Sequence, residues 1–385
     1  MTGAGGWGTR RHGTTLALLA CLALAACGRS DEPTPPLPPS ASTEAAPDAS
    51  PDAPPDTSPD PAPPERRPAP VRIAVAGDVH FEGVLAPRLR RPATALTGAA
   101  SELAAADVAI VNLETSVGTG GAPEPGKRFT FSAGAAAFTA LAAAGVDVAS
   151  MANNHALDFG RSRLPSTLRA ARRAAAADPP LAVIGIGADA DDAFAPALTD
   201  VEGTTVATIA ASAADQDPTA DPTASWVAGP ARSGVAGALD PGRLLREVRL
   251  ADRSADVVVV HLHWGVQGQR CPSDDQRVMA RRLVGAGADV VVGSHAHELQ
   301  GDGRLGPGYV AYGLGNFAWY SPGPTGVLTL TVRPPREPAG RARVTASRWW
   351  PATIGADGLA ALDTGPAAAA SRDRRVALRE CAGLG

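Results

Sequence analysis

The sequence predicts an α/β domain, and three observations carry that reading. From Val71 onward, short apolar runs alternate with Ala-rich helical stretches, the pattern of an α/β fold. Five of those runs end in Asp, Glu, Asn or His. Hydrophobic residues make up 44% of the 385 residues and charged residues 19%, enough to bury a large core and too apolar for wholesale disorder.

The N-terminus reads as an export signal over residues 1–26. Arg10 and Arg11 form its positive start, and Thr14 to Ala26 is apolar but too short to span a bilayer. It closes on Leu24-Ala25-Ala26-Cys27-Gly28. This resembles a bacterial lipobox, in which the cysteine becomes the lipidated first residue, so Cys27 is the expected lipid site. Residues 27–70 read as a disordered linker, because 31–70 hold fifteen of the 36 prolines. Residues 1–30 carry +3 and 31–65 carry −8, which leaves +1 on 66–385 out of the net −4. With no basic excess and only 4% aromatics, no nucleic-acid partner is expected.

The domain is expected over 71–335, with a C-terminal β-strand extension and tail over 336–385. Its strand candidates are Val71–Ala76, Val108–Val111, Val146–Ala149, Leu181–Ile186, Thr205–Ala210, Val257–Val260, Val290–Val292 and Tyr309–Tyr312. The pattern turns β-like again at Val327–Val332 and Arg343–Thr353. Helices are expected at Ser132–Ala144, Leu164–Ala177, Pro241–Ala251 and Gln276–Ala286. Asp240 before Pro241 fits an N-cap followed by a first-turn proline. Cys271 and Cys381 lie in the exported part, where a disulfide is permitted; their pairing stays open.

The strand ends carry the chemistry. The first runs into Gly77-Asp78-Val79-His80, the second into Asn112-Leu113-Glu114, and the third into Asn153-Asn154-His155. Later strands run into His261-Leu262-His263-Trp264-Gly265 and Gly293-Ser294-His295-Ala296-His297. Of seven histidines, one is His12 in the signal, and the other six all sit at these ends. Ligands gather beyond the carboxyl ends of strands in open α/β sheets. Imidazoles mixed with carboxylates suit Zn, Mn or Fe better than Ca. His261 shares a strand face with His263, so it is an alternative ligand. Lys127 and Arg128 read either as a solvated surface pair or as contacts to an anionic substrate.

These residues, in this order, resemble the CapA family, bacterial proteins of poly-γ-glutamate capsule synthesis. The matching segments are Gly77-Asp78, Asn112-Leu113-Glu114, Ala152-Asn153-Asn154-His155 with Asp158 and Gly160, His263-Trp264-Gly265, Val292 to His297, and Leu314-Gly315-Asn316-Phe317. Lys127-Arg128-Phe129-Thr130-Phe131 matches as well. The resemblance covers about residues 71–320. It implies a metallophosphoesterase-like β-sandwich flanked by helices and two divalent metal ions, Mn, Zn or Fe.

Carried over residue by residue, Asp78, His80 and His297 would hold one ion and Asn154, His263 and His295 the other, with Glu114 bridging. His155 would act on the leaving group and Asp158 would orient it. Lys127, Arg128 and Asn316 would contact substrate. Two departures stand out: many members have Met or Leu where this chain has His80, and Gln267-Gly268 replaces a usual Glu-Tyr.

The expected function is a cell-surface lipoprotein on the outer face of the membrane, a dinuclear-metal hydrolase acting in poly-γ-glutamate or other capsule or envelope polymer synthesis, with an anionic polymer or phosphoester as substrate and a membrane-bound polymer synthase as partner. The alternatives are a secreted phosphoesterase unrelated to capsule, or a non-catalytic polymer-binding accessory.

Overall fold

The computed structural model describes residues 68–384, apart from 99, 215–222, 336, 338 and 339. The export signal, Cys27 and the linker as far as residue 67 lie outside the described residues. Among the described residues, no helix is long and apolar enough to cross a membrane.

Two sheets form the domain. In chain order their strands are β1 (Val71–Val79), β2 (Val108–Leu113), β3 (Val148–Ser150), β4 (Ala182–Ile184), β5 (Ala197–Val201), β6 (Thr204–Ser212) and β7 (Val257–Trp264). Then come β8 (Val290–His295), β9 (Asp302–Leu305), β10 (Gly308–Ala311), β11 (Asn316–Ala318), β12 (Gly323–Arg333), β13 (Arg343–Ile354) and β14 (Ala360–Leu362). The first sheet is ordered β14-β13-β12-β1-β2-β3-β4, with β11 also paired to β1; the second is ordered β9-β10-β8-β7-β6-β5. β1 to β4 run parallel, as do β6, β7, β8 and β10. The longer helices are α1 (Ala136–Ala143), α2 (Leu164–Ala175), α3 (Gly242–Ala251), α4 (Asp274–Ala286) and α5 (Gly365–Ala382).

Period-two alternation makes this a four-layer sandwich, because successive strand residues point to opposite faces. Val71, Ile73 and Val75 of β1 pack between the sheets with Val257 and Val259 of β7 and Val290 and Val292 of β8. Ala74 and Ala76 pack outward against α1 and α2, among Phe138, Leu141, Leu164 and Leu168. Val258, Val260 and Leu262 pack outward against α3 and α4, among Leu244, Val248, Ala280 and Leu283. The α/β sandwich flanked by helices is the architecture expected from the sequence.

Several elements differ in detail. The expected Leu181–Ile186 strand breaks at Gly185, which has φ +86°, and only Ala182–Ile184 joins the first sheet. The first helix starts later, because Ser132–Ala133 pairs with Ser116–Val117 as a short strand. Asp240 caps one residue early: its carboxylate accepts from Gly242 N–H at 3.0 Å. Its neighbour Pro241 takes the N-cap position.

The expected tail is a correction. The expected β-like run is β13, which pairs with β12 along its length and so adds to the first sheet; the difference lies beyond it. The chain then ends in the 18-residue α5. Pro366 in its first turn and Gly383 in the left-handed region at its end are the usual start and stop signals. Cys271 and Cys381 are disulfide-bonded, which ties the end of α5 to the loop before α4. Asp302 adds polar anchors, accepting from Arg375, Arg379 and the Tyr309 hydroxyl.

Candidate metal centre

The site sits at the carboxyl ends of β1, β2, β3, β7 and β8, where the two sheets meet. Val71 to Val75 of β1 pair with β12. The register with β2 then shifts between Val75 and Asp78, and β11 takes over at Asp78, opposite Asn316. Such an irregularity re-aims a side chain. Gly77 permits it: a Cβ there would lie 1.9 Å from the carbonyl oxygen of Gly315. On the opposing sheet, His261 and His263 continue the inward register of Val257 and Val259. His295 and His297 both adopt positive φ, 90° and 55°. That backbone is uncommon outside glycine and is held only where surroundings over-determine it.

Asp78, Glu114 and His263 are fully buried, and each offers a ligand atom within 4.8 Å of the others. Asn112 aligns them. Its Nδ2 donates to Asp78 Oδ1 at 2.9 Å and to Glu114 Oε2 at 3.3 Å. Asn153 fixes Asn112 by donating to its Oδ1 at 3.0 Å and to the Leu113 carbonyl at 2.8 Å. The sequence motifs contain Asn112 and Asn153 without giving them a role; their place at strand ends is the available signal.

A second group lies alongside. His263 Nε2 is 2.8 Å from Asn154 Oδ1 and 3.0 Å from His295 Nδ1, while His263 Nδ1 meets Ser294 Oγ at 2.9 Å. One oxygen and two ring nitrogens thus converge, the atom types a transition-metal ion takes. Between the groups stands Glu114. Its Oε1 lies 3.7 Å from Nε2 of each of three imidazoles, His155, His263 and His297. That oxygen is buried with no hydrogen-bond partner. Three nitrogens around one carboxylate oxygen, all beyond hydrogen-bond length, fit a cation site and not a hydrogen-bond network.

His297 turns its Nδ1 to Asn316 Oδ1 at 2.7 Å and lies 3.3 Å from Asp78 Oδ2. Asn316, expected as a substrate contact, is thus also placed to orient His297. His155 Nδ1 meets Asp158 Oδ2 at 2.6 Å. The same carboxylate accepts from Phe131 N–H at 2.6 Å and from Lys127. The Lys127 side chain is only 3% exposed and also bonds the Asn154 carbonyl, so it is neither a solvated surface residue nor an open substrate contact. Arg128 is exposed and stacks over Phe129. His261 is buried, with both ring nitrogens lacking hydrogen-bond partners, and stays outside the converging group. His80 stands beside the site, its Nδ1 bonded to the Glu82 backbone. The opening lies at His297, whose side chain is 22% exposed, and at Tyr320, 40% exposed.

The electrostatics agree with a cation site. Burial, reinforced by Asp78, pushes the Glu114 carboxyl well above its usual range. Burial lowers His155 to about 4, with Asp158 resisting, and burial then His295 hold His263 well below its usual value. Burial lowers His261 to about 4. Burial opposes a rise at His297, but Glu114 and Asp78 outweigh it and push the ring up to about 9. The buried Glu114 carboxyl is thus short of positive charge, and the neutral ring of His263 stands ready to ligate.

A family model described as bacterial capsule synthesis protein PGA_cap matches residues 72–321. The chain belongs to that family. Capsule biosynthesis protein CapA of Bacillus anthracis is 33% identical over 187 residues, 47% of this chain and 42% of the relative. PGA biosynthesis protein CapA of Bacillus subtilis (strain 168) is 33% identical over 175 residues, 45% of this chain and 42% of the relative. The chain thus aligns with less than half the length of these two relatives. Among solved structures, a hypothetical protein from Thermus thermophilus is 17% identical with a TM-score of 0.42, covering 73% of this chain and 99% of that one. A novel phosphatase from Mycoplasma pneumoniae is 13% identical with a TM-score of 0.44, covering 74% and 94%.

Proposed function

We propose that this chain is a metal-dependent hydrolase acting in the synthesis of a capsule or poly-γ-glutamate polymer. The observation that carries the reading is Glu114 Oε1, buried, unpaired and 3.7 Å from three imidazole nitrogens. Membership of the PGA_cap family and the names of the two relatives support the polymer. Asp78, Glu114 and His297 would hold one divalent ion, and Glu114, Asn154, His263 and His295 a second. Such ions, Mn, Zn or Fe, supply Lewis acidity and activate water near neutral pH.

The chain's own residues do the rest. Asp158 takes the Nδ1 proton of His155 into a hydrogen bond, so Nε2 faces the cluster and can exchange a proton with a leaving group. Asn112 and Asn153 keep the carboxylates aligned. Burial of the cluster keeps bulk water from competing for its charges. The substrate is an anionic polymer or a phosphoester, admitted past His297 and Tyr320. A lipid at Cys27 would tether the domain to the outer face of the membrane, beside a membrane-bound synthase; Cys27→Ala would then release the protein to the soluble fraction.

The test is elemental analysis of the purified protein, with hydrolysis of phosphate esters and γ-glutamyl amides before and after EDTA. Activity abolished by EDTA and restored by Mn or Zn supports the reading. A fully metallated protein inert on both substrate classes overturns it.

A further inference from the structure

His80 differs from the other site histidines in which way its ring is wired. The backbone N–H of Glu82 donates to His80 Nδ1 at 2.9 Å. A neutral imidazole has one donor and one acceptor nitrogen. An accepting Nδ1 therefore leaves the proton on Nε2. That nitrogen is buried and meets no hydrogen-bond partner.

Two neighbours show the opposite wiring. His297 Nδ1 donates to Asn316 Oδ1 at 2.7 Å, and His155 Nδ1 donates to Asp158 Oδ2 at 2.6 Å. Each of those rings spends its Nδ1 on an acceptor and turns Nε2 toward Glu114. Ligand histidines follow that pattern: the far nitrogen donates to an acceptor and frees the near one for the metal. In His80 the Nδ1 lone pair is already taken and Nε2 carries hydrogen, so neither nitrogen is open to an ion.

The ring is also held firmly. Trp319 packs edge-on at 3.9 Å, Tyr320 at 4.7 Å and Phe131 at 5.0 Å between centroids. Phe131 stacks on His155 as well, and Trp319 packs on His297. Two of the aromatic rings that border His80 thus border the metal cluster too.

We propose that His80 is not a metal ligand but a hydrogen-bond donor, offering Nε2–H to an anionic oxygen of the substrate group held at the metal centre. This rests on the metal-centre reading given above. A buried donor without a partner is costly, and a bound oxyanion removes that cost. A neutral donor beside metal ions also suits the site, since it adds no like charge.

The experiment compares wild type, His80→Gln and His80→Phe, each loaded with Mn or Zn. Metal per chain is read by elemental analysis and affinity for inorganic phosphate by calorimetry. Both variants are expected to keep the wild-type metal content. His80→Phe should bind phosphate about 10- to 100-fold more weakly, the worth of a hydrogen bond to a charged group. His80→Gln, which can still donate, should recover most of that loss.

Wild-type metal content with one equivalent lost in both variants overturns the proposal and leaves the metal centre standing. Unchanged phosphate affinity in His80→Phe also overturns it. A wild type that takes up no metal sinks the metal-centre reading itself. Should His80→Phe fail to fold, nitrogen-15 NMR of the wild-type ring decides: a proton on Nε2 in the Zn-loaded protein supports the donor, and a proton on Nδ1 overturns it.

Discussion

The carboxylate of Asp158 is shared between His155, whose Nδ1 lies 2.6 Å from Oδ2, and Lys127, which pairs with Oδ1. Lys127 is the chain's one lysine, and its side chain sits buried against Asp158 and His155 rather than on the surface. Lys127→Met leaves the buried Asp158 carboxylate with only His155 and the Phe131 N–H as partners. Breaking a buried pair costs about 3–5 kcal/mol, so urea denaturation should show a loss of that order. Turnover should fall too, because His155 loses its fixed orientation. An unchanged denaturation midpoint would mean the pair is stabilised elsewhere.

Glu114→Gln keeps the side chain's shape and removes the charge between the two ligand groups. Metal per chain should fall by at least one ion. Melting tells the complementary half: the metal-free variant should be at least as stable as metal-free wild type, because a costly buried carboxylate is gone. The stabilisation that added Mn or Zn provides should shrink in proportion to the lost affinity. Two ions retained in the variant would remove Glu114 from the bridging position.

Asp302 should show itself through pH. Burial works against its charge, but Arg375, Tyr309 and Arg379 hold its carboxyl below the ordinary 3.8. The folded value is therefore the lower one. The resulting stability is present above 3.8 and is lost as pH falls through the folded value. Asp302→Asn should cost about 3 kcal/mol at pH 7, and the gap to wild type should close in strong acid. Denaturation curves at neutral pH and in strong acid check both halves; a gap that persists in acid would assign the loss to packing.

The Cys271–Cys381 bond closes a loop across a sequence separation of 110. In the chain-entropy description such a loop is worth about 4–5 kcal/mol. Cys381→Ser should lower the melting temperature, and a reductant should do the same to wild type while leaving the variant unmoved. Proteolysis of the variant should begin in α5, which the bond pins.

The strand ends are legible in the sequence because ligand residues accumulate there with little else to explain them. Wiring is not. His80 and His297 are the same residue type at the same kind of position, and they differ in whether Nδ1 meets a backbone N–H or the side-chain oxygen of Asn316. Lys127 reads as surface because Gly126 and Pro125 precede it; its burial depends on Asp158, 31 positions away. α5 escapes a sequence reading because an Ala- and Arg-rich end resembles a tail. Its buried face is only Ala368, Ser371, Leu378 and Ala382, too sparse a stripe to stand out. β13 is visible as a strand, but its partner β12 is settled by register alone.

The ligand groups come from both halves of the sandwich: Asp78, Glu114 and Asn154 belong to or follow β1, β2 and β3, whereas His263, His295 and His297 belong to or follow β7 and β8. Neither sheet can assemble the centre by itself. A slip of one residue in β7 would turn His263 outward with its whole face and abolish the cluster while sparing most apolar contacts. An ion held at this centre would therefore act as an inspection step on assembly, passing only chains whose two sheets have docked in register. For the metal-loaded protein, metal content would then be a stricter measure of correct folding than helicity or a sharp melt, since a misdocked chain would keep both.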